Sequence, residues 1–164
     1  EKAAKERGAR IYCHASGYGM AHSSVKFGTL TGSEAGLTNA VNNALADAGM
    51  TIDDIDAVFG FANGMKAVDD VEIKGLTAVF GDKLAEKPVV ELKEVLGESR
   101  AAAATTAAAH AALMFAGKIP SQEAYSIAAD GSVSKTNVEA SKLNNVLVVA
   151  YGAGGSYTAI VLSK

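Results

Sequence analysis

The 164-residue chain is poor in most of the features that announce a function directly. It has one cysteine, Cys13, so no internal disulfide framework is possible and a reducing, cytoplasmic setting is expected. No CxxC or HExxH is present, and the three histidines, His14, His22 and His110, are scattered, which gives no local support for a metal site. Trp is absent and aromatics make up only 6% of residues, although 49% are hydrophobic. Neither sign of charge dominates: the net charge is -3, which argues against nucleic acid as a partner. The longest apolar run, residues 101–115, is broken by Thr105, Thr106 and His110 and falls short of the ~20 residues a bilayer span needs. Residues 1–10 are too charged for a signal peptide, and an opening at Glu1 rather than Met suits a fragment or processed product as well as a whole protein.

What is present is a small-residue α/β pattern, with 17 glycines and many alanines. Residues 10–19 read as a strand ending at Gly17 and Gly19, followed by a loop over 20–30. Thr31 and Glu34 stand in capping-box relation, and Leu37, Ala40, Val41, Ala44, Leu45 and Ala48 follow at helical spacing up to Gly49. An acidic turn over 51–56 leads to a strand over 57–61 and a loop over 62–66. A second helix is expected over 69–80, with Asp69 and Glu72 explained by capping, and a third strand over 88–92. Residues 99–116 predict a helix with almost no polar face, which should be buried on every side. Residues 117–144 read as mostly irregular, with a short helical turn near 138–142. Residues 145–150 and 157–162 read as two strands joined across Gly152, Gly154 and Gly155, either as a hairpin or as neighbouring strands bent at a glycine corner. The alternation gives an α/β class with a mixed sheet. The apolar helix also calls for a second layer that this chain does not supply.

In that order the segments resemble the C-terminal half of the β-ketoacyl-acyl carrier protein synthases, condensing enzymes of the thiolase fold. ALADAGMTIDDIDAVFG (44–60) is similar to the helix, turn and strand before that family's first His loop, and AVDDVEIKGLTAVFG (67–81) to the helix after it. VELKEVLG (90–97) resembles the strand and loop bearing the family's Lys, and YGAGGSYTAIVL (151–162) its glycine-rich terminal loop and last strand. The resemblance implies an α-β-α-β-α layered fold in which residues 1–164 are the C-terminal half domain. It calls for no cofactor.

The departures fall on the chemistry. Where the family writes HGTGT, this sequence has Phe61-Ala62-Asn63-Gly64-Met65, so Phe61 stands at the first His position. Lys93 and Gly97 keep the second motif, but Glu98 stands at its His, and a family Glu further on falls near Ala107. Phe61 can donate no hydrogen bond, and an ionised Glu98 is acceptor-only. Removing one donor to a developing oxyanion typically costs ~100- to 1000-fold in rate. By the resemblance, then, no catalytic site is intact, and Gly152, Ala153, Gly154 and Gly155 line a substrate channel, with Ala153 where the family often has a Phe gate.

Local readings stand beside these. Lys93, before a loop, reads as a solvated charge or a remnant of the site. Glu98 pairs with Lys93 or Arg100, or sits at the N-terminus of the alanine helix. His110 reads as a core histidine, Met65 and Lys66 as loop surface, and Cys13 as an unactivated thiol within a strand. The Gly152–Gly155 run precedes no helix, which argues against a phosphate cradle.

The expected role is that of a chain-length-factor-like subunit of a fatty acid or polyketide condensing system, inactive alone. Its expected partners are a ketosynthase N-terminal half or partner subunit carrying the Cys nucleophile, and acyl carrier protein, in a hetero- or homo-dimer. The alternatives are an active acyltransferase of the same superfamily with Glu98 as base, or a non-enzymatic acyl- or partner-binding module.

Overall fold

A computed structural model describes residues 1–26, 28–30, 32–99 and 102–164. After a short helix α1 (Lys2–Glu6), the elements run β1 (His14–His22), α2 (Glu34–Ala48), β2 (Ala57–Phe59), α3 (Lys66–Phe80), β3 (Val89–Val90), α4 (Lys93–Leu96), α5 (Ala103–Phe115), β4 (Ser121–Ile127), β5 (Val133–Glu139), β6 (Asn145–Gly152) and β7 (Ser156–Ser163). The strands form one seven-stranded sheet in the order β1-β7-β6-β2-β3-β4-β5. β2 is parallel to both β3 and β6, and the remaining pairs are antiparallel, so the sheet is mixed as expected.

Period-2 alternation distributes the core between two faces. Val58, Val89, Leu147, Val149, Tyr157, Ala159 and Val161 point toward α2 and α3. Ala57, Phe59, Val90, Val146, Val148 and Leu162 point toward α5. α2 follows its helical pattern, with Leu37, Ala40, Val41, Ala44 and Leu45 buried and Gly49 closing the helix in the left-handed region at φ 65°. Its N-cap is Ser33, which makes no side-chain capping bond, and Thr31 lies outside the described residues. A capping box does occur in the turn before β2: the Thr51 N–H donates to Asp54 Oδ2 at 2.8 Å, and the Thr51 hydroxyl accepts from the Asp53 N–H.

Several boundaries differ from the sequence reading. The strand expected over 10–19 is β1 at His14–His22, so it takes in part of the expected loop, and Cys13 lies just before it. Gly17 and Gly19 are not stops. They let β1 lie directly on α2, where a Cβ at Gly19 would collide with the Ala40 carbonyl oxygen. The strands expected over 57–61 and 88–92 are shorter, Ala57–Phe59 and Val89–Val90, and the second helix starts at Lys66.

The largest correction is in residues 117–144, which hold the β4–β5 hairpin before a 3₁₀ turn at Ala140–Lys142. The segments SQEAYSI and VSKTNVE carry few strong strand formers because this edge ribbon is largely exposed. The alanine helix is also not buried all round within this chain. Ala107, Ala111, Met114 and Phe115 are buried, whereas Ala102, Thr105, Ala109 and Leu113 form an outward-facing stripe. Among the described residues no helix is long and apolar enough to cross a membrane.

Candidate functional site

β2 and β3 lie side by side in parallel, with Phe59 opposite Val90, so the loops leaving their C-terminal ends meet. That edge is where open α/β sheets place their ligand sites. The first loop, residues 60–65, starts at Gly60, whose N–H donates to the Val90 carbonyl at 3.0 Å. The second loop, residues 91–99, carries Glu91, Lys93 and Glu98 and includes α4.

Phe61 is only 1% exposed. Its ring faces the core, 5.7 Å from Tyr151, which is in turn 5.1 Å from Tyr157. The backbone of the loop is held by carboxylates on α3. The N–H groups of Phe61 and Ala62 both donate to Glu72 Oε2, the second at 3.1 Å. The Asn63 N–H donates to Asp69 Oδ1 at 2.9 Å. Asp69 and Glu72 are therefore not helix caps: with α3 starting at Lys66 they lie inside it and reach back to the loop. Glu72 is 2% exposed, and such burial of a carboxylate is tolerable because three donors point at it.

Lys93 joins the two loops. Its Nζ donates to the Phe61 carbonyl at 2.9 Å and lies 3.1 Å from Glu98 Oε2, with the side chain 14% exposed. Glu98 also accepts from Asn63 Nδ2 at 3.1 Å. Phe61, Lys93 and Glu98, far apart in sequence, thus come together. Lys93 is a structural bracket rather than a solvated charge, and Glu98 pairs with Lys93; Arg100 lies outside the described residues.

Glu91 escaped the sequence reading. It follows β3 directly, and its carboxyl meets that of Glu72 beside Gly60, where a Cβ would strike both Glu91 Oε1 and Glu72 Oε1. Burial, then the Glu72 charge and its hydrogen bond to Glu72, push the Glu91 carboxyl well above the usual carboxylate range. Burial also pushes Glu72 up, but the Glu91 hydroxyl and the two backbone N–H groups favour its charged form. With two backbone N–H groups aimed at its carboxyl, Glu72 is the member of the pair better placed to hold the charge. The available signal was an acidic residue abutting the apolar pair Val89-Val90 and separated from Lys93 by Leu92. Beside the pair a cavity of about 370 Å³ runs under the hairpin, walled by Ile73, Val89, Tyr125, Ile127 and Val133.

Gly152, Ala153, Gly154 and Gly155 form the β6–β7 turn, as the hairpin reading anticipated. The turn is tied down from outside: the Gly154 N–H donates to the Thr29 carbonyl at 3.0 Å and the Ser23 N–H to the Gly155 carbonyl at 2.8 Å. His110 lies on α5 with its ring 6.1 Å from Phe59, and burial lowers its pKa. Burial pushes the Cys13 thiol up, the opposite of nucleophile activation.

Residues 12–146 match the family described as β-ketoacyl synthase, C-terminal domain. The chain belongs to this ketosynthase family. It is 31% identical over its whole length to the polyketide β-ketoacyl synthase 2 of Streptomyces coelicolor, of which it covers 39%. Among solved structures it is similar to the ishigamide ketosynthase/chain length factor, with TM-score 0.82, 24% identity, and 99% of this chain and 40% of that one covered. It is also similar to a chain of the solved complex of a type II polyketide synthase acyl-carrier protein with its ketosynthase, with TM-score 0.77, 19% identity, and 99% and 41% covered. The chain thus has the thiolase-like fold and spans about two fifths of the length of these relatives.

Proposed function

We propose that residues 1–164 are the C-terminal half domain of a chain-length-factor-like subunit in a fatty acid or polyketide condensing system. It supports condensation of acyl carrier protein thioesters by a partner chain without performing it. The observation that carries this reading is Phe61. At the position read as the family's first catalytic His stands a side chain with no donor, and its ring is packed on Tyr151. The neighbouring loops, residues 60–65 and 91–99, contain no histidine at all. A growing enolate negative charge would find no imidazole there, and Lys93 is already occupied by Glu98 and the Phe61 carbonyl. The same pairing argues against Glu98 as a free general base.

The outward stripe of α5, with Leu113 40% exposed, supports a partner-supplied N-terminal half. Exposed Tyr18 and Met20 lie on the edge strand β1. Together these leave apolar surface on one side of the sheet that a second α/β layer would cover. In this arrangement the Gly152–Gly155 turn, next to the Tyr151–Phe61 stack, borders the acyl channel.

The decisive experiment is co-expression with a ketosynthase-type chain bearing a Cys at a strand-to-helix elbow. A stoichiometric complex by native mass spectrometry is expected, together with no condensation of malonyl and acyl thioesters by the 164-residue chain alone. A chain that stays monomeric, or one that condenses unaided, overturns the reading.

A further inference from the structure

We propose that Glu72 and Glu91 form a carboxyl clamp held closed by one shared proton, which fixes residues 60–63 in their inward-turned state and releases them when the proton leaves. The clamp regulates the loop on which the proposed function rests, but its geometry needs no partner chain.

Four observations carry it. The two carboxyls share the space left by the missing Cβ of Gly60 and are hydrogen-bonded to each other there. Glu72 holds the Phe61 and Ala62 N–H groups, so any movement of Glu72 moves the loop backbone. Glu91 Oε2 is fully shielded and has no hydrogen-bond partner among the described residues, so none of them would stabilise its second oxygen on ionising. Glu91 also lines the cavity under the β4–β5 hairpin, which gives it somewhere to swing on ionising.

The charged groups around the pair do not relieve it. Asp69 on α3 adds a further negative charge. On α4, Lys93 attracts, but Glu98 is already its ion partner, and Glu94 is bonded to the Tyr125 hydroxyl of β4. β5 contributes Val133 to this wall. Two like charges in contact within a buried site cannot both persist.

The sign follows from linkage. Glu91 has a raised value in the closed state and an ordinary one once released, so closure is full below the usual Glu range and is lost as pH rises through the raised value. Within that window each pH unit opens the loop roughly tenfold more, because one proton is lost per opening.

The test is hydrogen exchange resolved to residues 57–66, corrected for the intrinsic pH dependence and followed from mild acid to mild alkali. It is run on the purified protein, alone or with whatever chain accompanies it. The wild type is expected to lose protection with that slope. Glu91→Gln, whose amide still donates to Glu72 but cannot ionise, is expected to be flat. A flat wild-type profile, or the same slope in Glu91→Gln, overturns the clamp. Should Glu91→Gln not fold, infrared spectroscopy of the wild type decides: a protonated carboxyl at neutral pH that disappears with loop protection supports the clamp, and its absence overturns it. Partner capture is unaffected by either outcome, so failure here and failure of the proposed function are told apart.

Discussion

The two faces of the sheet are finished to different degrees. On one, α2 and α3 cover Val58, Leu147, Val149 and Val161, and Leu37 and Leu76 in those helices are completely buried. On the other, α5 buries a stripe of Ala107, Ala111, Met114 and Phe115 and turns a second apolar stripe outward. Both faces use small and aliphatic side chains, so composition does not distinguish them. What differs is whether the covering helix has a polar back. α2 exposes Asn42, Asn43 and Asp47, whereas the outward stripe of α5 offers Ala102, Thr105, Ala109 and Leu113. The first face is closed by this chain, and the second keeps apolar side chains exposed on the back of its covering helix.

Phe61 belongs to the closed face, and truncating it should do the most damage. Phe61→Ala removes a 1%-exposed ring from the Tyr151–Tyr157 stack and is expected to cost about 3–5 kcal/mol in urea unfolding. A cost under ~1 kcal/mol would place the ring in an adaptable pocket and weaken the contrast between faces. Phe61→His is expected to destabilise without restoring condensation, because the imidazole would point into the same core; thioester condensation assays check this.

A middle-sized effect is expected where the two loops join. Lys93→Met keeps the stem but loses the bond to the Phe61 carbonyl, for about 1 kcal/mol. Little of that comes from the ion pair, since Glu98 is 39% exposed. Urea unfolding at low and high salt separates the two parts, and a cost that vanishes in high salt would contradict the assignment.

The smallest stability effect is expected on the open face. Leu113→Ser should change the unfolding free energy of the chain by less than ~0.5 kcal/mol yet weaken capture of a ketosynthase-type partner at least roughly tenfold. Thermal unfolding and a pull-down titration measure the two quantities. A large loss of stability without loss of binding would mean that α5 is buried within this chain after all.

Much of the architecture was legible because it depends on neighbours in sequence. The spacing of Leu37, Val41, Ala44 and Leu45 with Gly49 behind them defines α2 whatever it packs on, and the Val-Leu-Val-Val and Tyr-Thr-Ala-Ile-Val runs flanking the Gly152–Gly155 turn define the terminal hairpin. The chain order of these blocks also carried the ketosynthase resemblance. The β4–β5 hairpin was hidden because most of its exposed positions are polar or charged and few positions are buried, so its alternation is weak.

The acidic residues mark the boundary between what sequence determines and what only the tertiary structure decides. Asp69 and Glu72 sit three apart near a helix start, and local chemistry alone assigns them to capping. Glu91 stands two residues before Lys93, and local chemistry alone solvates it. In the fold, parallel pairing of β2 with β3 sets the ends of two distant segments side by side, and Gly60 leaves a gap that only two carboxyls fill. Helix periodicity and turn residues act over a few positions and survive in the sequence. Burial, and with it the sharing of a proton, is a property of a place in space that no short stretch of sequence encodes.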